Sequence, residues 1–247
     1  MAIPIMAHLV LGYPTLSESI RTAEAYIAAG VAILELQIPF SHPTADGPVI
    51  TAACQRAVND QRVSVTGCLA ALRMLREKYP EQELMVMSYL NRIYAFGLKK
   101  FGLEMKALGI RRLIIPDLPV DAPPMPERWP DYLVPVLAAN ISDDRLDRLL
   151  LRGFDFYYLM SDFKVTGSTF SLHPRLGQMI RRIRAANPAA RAGIGFGIET
   201  PEQVRAVLAV ADYAIIGSAL LRAQMAGKLP QYLDQLKNAV HPATPTP

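Results

Sequence analysis

Glu35 and Asp46 are the residues of this chain whose types and spacing most clearly admit chemistry. Glu35 falls inside an apolar run of strand character, residues 32–38, where an ionised side chain is costly unless something offsets it. Asp46 follows in the loop Ile38-Pro39-Phe40-Ser41-His42-Pro43-Thr44-Ala45-Asp46-Gly47-Pro48, whose prolines and glycine let the chain fold back towards the strand end. A buried carboxylate beside a loop carboxylate suits two proton-handling roles that differ in environment. The plainer alternative is a turn aspartate before Gly47 and a glutamate that caps a neighbouring helix.

Glycine clusters add a second kind of chemistry. Gly193-Ile194-Gly195-Phe196-Gly197 and Ile216-Gly217-Ser218-Ala219 both lie late in the chain, and Val165-Thr166-Gly167 is a third candidate. Glycine lets backbone N–H groups approach an anion, and a hydroxyl at a helix start adds to the attraction. One such cluster is an ordinary turn. Two after consecutive strands point to a phosphate site.

The elements that must position these groups alternate along the chain. Strand-like segments fall at residues 5–11, 32–36, 84–88, 112–115, 133–137, 155–160, 192–194 and 213–216, with helical patterns between them. Thr15-Leu16-Ser17-Glu18 and Thr200-Pro201-Glu202-Gln203 read as capping boxes, the second with proline where its missing N–H does no harm. Eight strands with such crossovers predict an α/β fold, a single (β/α)8 TIM barrel over residues 1–240 with a disordered tail at 241–247. An open doubly wound sheet is the alternative, but no Gly-x-Gly-x-x-Gly follows the first strand. In a barrel of this kind, active sites gather at the C-terminal ends of the strands. Phosphate is commonly held there by the loops after strands seven and eight. Glu35 lies near the end of strand two, and the glycine clusters follow strands seven and eight.

Composition removes other classes. At 247 residues and 51% hydrophobic, the chain can fill one large core. A net charge of +4 is spread over scattered Lys and Arg with no aromatic platform, so a nucleic-acid surface is not expected. No apolar run reaches the roughly 18 residues that span a membrane, and the N-terminus lacks a signal-peptide pattern. Cys54 and Cys68, widely spaced and without a CxxC, suggest neither disulfide nor zinc. The expected setting is cytoplasmic, with no metal.

The motifs in order resemble one family, the α subunit of tryptophan synthase. Leu11-Gly12-Tyr13-Pro14, Leu34-Glu35-Leu36, Ile38-Pro39-Phe40-Ser41, Ala45-Asp46-Gly47-Pro48, Pro116-Asp117-Leu118-Pro119, Val165-Thr166-Gly167, Gly195-Phe196-Gly197-Ile198 and Gly217-Ser218-Ala219 carry the likeness, which runs from about residue 5 to 236. The resemblance implies retro-aldol cleavage of indole-3-glycerol phosphate to indole and glyceraldehyde 3-phosphate. It also implies an α2β2 complex with a β subunit that holds pyridoxal phosphate, and no cofactor in this chain. Such cleavage needs the indole C3 protonated, the ring nitrogen's positive charge stabilised and the side-chain hydroxyl deprotonated. By resemblance, Glu35 moves the protons and Asp46 accepts from the ring N–H. Gly167, Gly197, Gly217 and Ser218 match phosphate-holding positions. Tyr89, Ile115, Tyr158 and Phe196 match pocket-lining positions, and Asp117 an acid near the mouth. For the aromatics, ordinary core packing is the plain alternative.

Departures from the family pattern sit near the same groups. Gln37 replaces a glycine and shares a strand face with Glu35, where it would crowd the pocket or hydrogen-bond that carboxylate. His8 takes a position where an aromatic ring would face the indole, and His42 alters a loop that faces the β subunit in the family. Asp162 reverses a charge, and Lys164 removes a glycine, in the loop expected to close over substrate. Three readings remain open: an α subunit cleaving indole-3-glycerol phosphate, a divergent stand-alone lyase on the same or a related phosphorylated substrate, and a weakly active or non-catalytic partner of a β subunit.

Overall fold

The computed structural model describes residues 2–121, 133–161 and 172–240. Its strands are β1 (Ile3–Val10), β2 (Val31–Gln37), β3 (Glu83–Met87), β4 (Leu113–Ile114), β5 (Val136–Ala138), β6 (Phe156–Met160), β7 (Arg191–Gly195) and β8 (Tyr213–Ile216). All pair in parallel, in the order β4-β3-β2-β1-β8-β7-β6-β5. A bridge between Leu113 and Leu133, with the Val134 N–H donating to the Leu113 carbonyl at 2.8 Å, brings the two sheet edges together into a nearly closed barrel. The helices are α1 (Leu16–Ala28), α2 (Pro48–Asn59), α3 (Val65–Lys78), α4 (Leu90–Phe96), α5 (Leu98–Ala107), α6 (Asp143–Leu150), α7 (Pro174–Ala186), α8 (Pro201–Leu208), α9 (Ser218–Met225) and α10 (Leu229–Val240).

Strand alternation divides the core in two. Along β1 and β2, Ile5, Ala7, Leu9, Leu34 and Leu36 face outwards and pack with the helices. Met6 and Ile33 face inwards, where they meet Met85, Ile114, Val134, Phe156 and Ile215 in the barrel interior. Each such side chain, fully buried, contributes about 1.5–3 kcal/mol. The same alternation puts His8, Glu35 and Gln37 on the inward face, beyond this apolar floor.

At two strands whose boundaries differ from the sequence reading, proline gives the reason. The expected strand at 133–137 is regular only from Val136, because Pro135 has no N–H to donate to the ladder. The strand expected at 112–115 shortens to Leu113–Ile114 ahead of Pro116. The Thr200 capping box forms in full, with Pro201 in the first turn. At Thr15 the hydroxyl accepts from the Glu18 N–H, but the Glu18 carboxylate takes its bond from that hydroxyl, at 2.8 Å, instead of from the cap backbone. Residues 241–247, expected to be a disordered tail, lie outside the described residues.

Candidate active site at the mouth of the barrel

Glu35 lies next to last on the inward face of β2 and is 3% exposed, beside Gln37 at 0% and His8 of β1 at 5%. Register places His8 directly opposite Glu35 across the β1–β2 pair. His8 Nδ1 stands 3.4 Å from Glu35 Oε2, an ion-pair contact too long and poorly directed for a good hydrogen bond. Burial alone would lower the His8 pKa. The negative charges of Glu35 and Asp46 and the polar contacts with Glu35 and Gln37 outweigh it, so the net shift is upward.

Asp46 is brought to the same mouth by three contacts. Gln37 Nε2 donates to Asp46 Oδ2 at 2.7 Å, and the Tyr89 hydroxyl donates to the same oxygen at 2.9 Å. The Ala45 N–H in turn donates to the Tyr89 oxygen at 3.0 Å, pinning the loop to the end of β3. Burial raises the Asp46 pKa, opposed by His8 and by these two donors. Gln37 does share a face with Glu35, as alternation requires, but its amide binds the other carboxylate. That pairing depends on how the loop folds back, which strand alternation does not encode.

Three buried polar atoms at this mouth have no hydrogen-bond partner: His8 Nε2, Glu35 Oε2 and Gln37 Oε1. An unmet buried group costs about 1–3 kcal/mol, so a cluster of them is a reservoir for a ligand's donors and acceptors. Tyr158 stands across the barrel, its pKa pushed well up by burial and then by the charges of Glu35 and Asp46. Its ring packs edge-on to Phe196 with centroids 5.9 Å apart. Ile115 is buried just beyond β4 but packs with the outward-facing cluster, and it is the preceding Ile114 that joins the interior.

The glycines after β7 divide their work. Gly193 and Gly195 belong to the strand itself, and a Cβ on either would strike its neighbours: Ile215 Cδ1 at 2.8 Å from Gly193, the Tyr158 hydroxyl at 2.6 Å from Gly195. They make room for Ile215 and Tyr158, so the anion reading of that cluster narrows to its end. Phe196 and Gly197 both take positive φ, 72° and 77°, and open space surrounds a Cβ built on Gly197. The Ser161 hydroxyl donates to the Phe196 carbonyl and ties this turn to the end of β6, a contact the sequence reading missed. After β8, Gly217 caps α9 with no side-chain hydrogen bond, leaving the first N–H groups at Ser218 and beyond available to an anion.

Other expected residues lie on the loops around the mouth or outside the described residues. The Asp117 carboxylate accepts from the Leu90 N–H at 2.9 Å and caps α4. The His42 ring is exposed and pairs with the Ser41 hydroxyl at 2.8 Å. Gly167, with Val165, Thr166, Asp162 and Lys164, lies outside the described residues. A shallow surface depression of about 700 Å³ against α4 and α5, lined by Tyr94, Leu98, Lys100 and Leu103 among others, contains none of the carboxylates or glycines above.

Residues 3–242 match the family described as "Tryptophan synthase alpha chain". A tryptophan synthase alpha chain of Edwardsiella ictaluri is 38% identical over 94% of this chain and 89% of its own length. That of Syntrophotalea carbinolica is 32% identical over 92% of this chain and 90% of its own. The solved tryptophan synthase subunit alpha of Campylobacter jejuni superimposes with a TM-score of 0.79 at 27% identity, covering 95% of this chain and 94% of that one.

Proposed function

Because this chain belongs to the tryptophan synthase alpha chain family and is therefore a lyase, we propose that it cleaves indole-3-glycerol phosphate to indole and glyceraldehyde 3-phosphate by retro-aldol chemistry. Indole would pass to a β subunit in an α2β2 complex, where pyridoxal phosphate resides. The observation that carries this reading is the meeting of Glu35 and Asp46 at one barrel mouth, with Oε2 of Glu35 accepting no hydrogen bond and the uncapped start of α9 on a neighbouring loop.

In this reading Glu35 takes the hydroxyl proton as the C–C bond breaks, and Asp46 accepts from the ring N–H. Tyr89 holds Asp46 in place through its 2.9 Å bond. Tyr158 and Phe196 flank the ring; Ile115 is proposed there on resemblance alone, since it packs with the outward-facing cluster. Gly197, Gly217 and Ser218 take the phosphate on backbone N–H groups and a hydroxyl, aided by the α9 dipole; Gly167 is proposed on resemblance alone. Inward-facing apolar walls exclude water from the developing charge.

The unmet Gln37 Oε1 and His8 Nε2 favour a second reading, a related phosphorylated substrate with a more polar ring. An indole-release assay on indole-3-glycerol phosphate, run with and without a β subunit, separates the two. Release of indole that rises when the β subunit is added supports the first reading. No release under either condition overturns it.

A further inference from the structure

His8 faces the barrel interior between the two halves of the proposed site. Its Nδ1 edge meets Glu35 Oε2 at 3.4 Å, and its Cδ2 lies 3.6 Å from where a Cβ on Gly217 would stand. The neighbouring Nε2 is therefore carried towards the Gly217 side of the pocket, where it is buried and has no partner. A buried imidazole contacting a carboxylate at one nitrogen and holding the other unmet is arranged to exchange a proton with something that enters.

We propose that His8 is a second catalytic residue in this site: as the imidazolium it gives its Nε2 proton to C3 of the substrate ring, leaving Glu35 free to act only as the base. The inference rests on the retro-aldol reading above. Protonation at C3 makes the ring cationic at nitrogen, beside Asp46. Glu35 then removes the side-chain hydroxyl proton. The oxygen's electrons form the aldehyde C=O, the C–C bond breaks, and its electron pair restores the ring double bond and neutralises the nitrogen. At that point His8 is neutral and Glu35 protonated. As the products leave, Glu35 gives its proton to solvent water and Nε2 takes one back from solvent, while Nδ1 keeps its proton and its 3.4 Å contact with Glu35 throughout.

The groups facing His8 support the cationic form. Glu35 and Gln37 approach from β2, and Asp46 from the loop after it, each favouring the protonated ring. Tyr158, across the barrel, stays neutral because burial and the same two carboxylates hold its proton. From the β8 side the ring meets Gly217, which carries no charge.

The test measures kcat/KM against pH for the full chain with its β subunit, in wild type, His8→Phe and His8→Gln, with folding checked by circular dichroism. The imidazole is followed independently by ¹⁵N NMR in wild type and Glu35→Gln. Wild type should lose activity as pH rises through the His8 titration. Both His8 variants should lose that alkaline limb and fall in rate on the order of 10²-fold at the optimum. Glu35→Gln should move the imidazole titration to lower pH. Folded His8 variants that keep the alkaline limb and a near-wild-type rate would overturn the proposal while leaving the retro-aldol reading standing, as would an imidazole indifferent to Glu35→Gln. A wild type that releases no indole would overturn that reading and the catalytic role of His8 with it.

Discussion

At the foot of the barrel, Arg112 reaches Glu83 and takes Asp155 on two nitrogens, at 3.0 and 3.3 Å, while its guanidinium lies 5.3 Å from the centre of the Phe156 ring. Asp212 there accepts from the Ala192 N–H at 2.8 Å, and Gln82 donates to the Ala32 carbonyl at 2.9 Å. At the mouth the pattern reverses. Of five buried side-chain atoms without partners among the described residues, three belong to His8, Glu35 and Gln37. The other two are Nε atoms of Arg92 and Arg175, whose guanidinium ends are bonded elsewhere. The foot closes its polar groups and so serves stability. The mouth leaves groups open at a cost in stability, as a site built to receive a ligand does.

The sharpest way to break this comparison is at Glu35. Glu35→Gln should reduce indole release by on the order of 10² to 10⁴. The fold should survive, losing only the part of the His8 contribution to stability that the Glu35 charge supports. An active Glu35→Gln enzyme, or one that unfolds on substitution, would make the mouth a structural feature like the foot. Next in size is Gly217→Val. A Cβ there lies 3.2 Å from Ile50 Cδ1 and 3.5 Å from His8 Cβ, so a branched side chain must displace one of them and crowd the start of α9. KM should rise roughly tenfold, equivalent to about 1.4 kcal/mol of lost phosphate binding. An unchanged KM would show that phosphate sits elsewhere.

The foot gives the third test. Arg112→Met should lower stability by about 1–2 kcal/mol, a figure held down because Glu83 and Asp155 are partly exposed and can turn to water. The rate should stay within about twofold of wild type, since a loss confined to the foot leaves the mouth's geometry alone. Denaturant midpoints and kcat on the same sample decide it.

How far each end could be read in the sequence differs for a physical reason. The alternation of β1 and β2 told which residues share a face, because a strand's period of two is local. It therefore put Gln37 beside Glu35, but could not tell that the Gln37 amide would bind Asp46. That bond depends on a loop held by Tyr89, 43 residues further on. Eight strands were visible as apolar runs, while the late start of β5 came from Pro135. The glycine cluster at 193–197 was read as one anion-binding feature. Two of its glycines answer instead to Ile215 and Tyr158, side chains from other strands. The Ser161–Phe196 contact had no local signal at all. Glycine announces that space is needed, not whether a ligand or a neighbouring ring will use it.

The smallest effect concerns pH and stability. His8 has its pKa raised from the ordinary 6.5, with burial outweighed by Glu35 and the other polar groups around it. A group that binds its proton more tightly when folded stabilises the fold fully below its unfolded pKa, and this contribution is lost as pH rises through the folded value. Asp46, also raised from its ordinary 3.8, chiefly by burial, follows the same sign in a more acidic window that begins above that value. Melting temperature should therefore decline as pH rises from about 6 into the alkaline range, by an increment present in wild type and absent in His8→Phe. The matching acidic increment should be absent in Asp46→Asn. Arg112→Met should shift the whole curve downwards without altering either increment, since the foot holds its charges in pairs on the other side of the apolar floor. A His8→Phe curve parallel to wild type across the neutral and alkaline range would mean that the mouth, like the foot, has its charges already balanced.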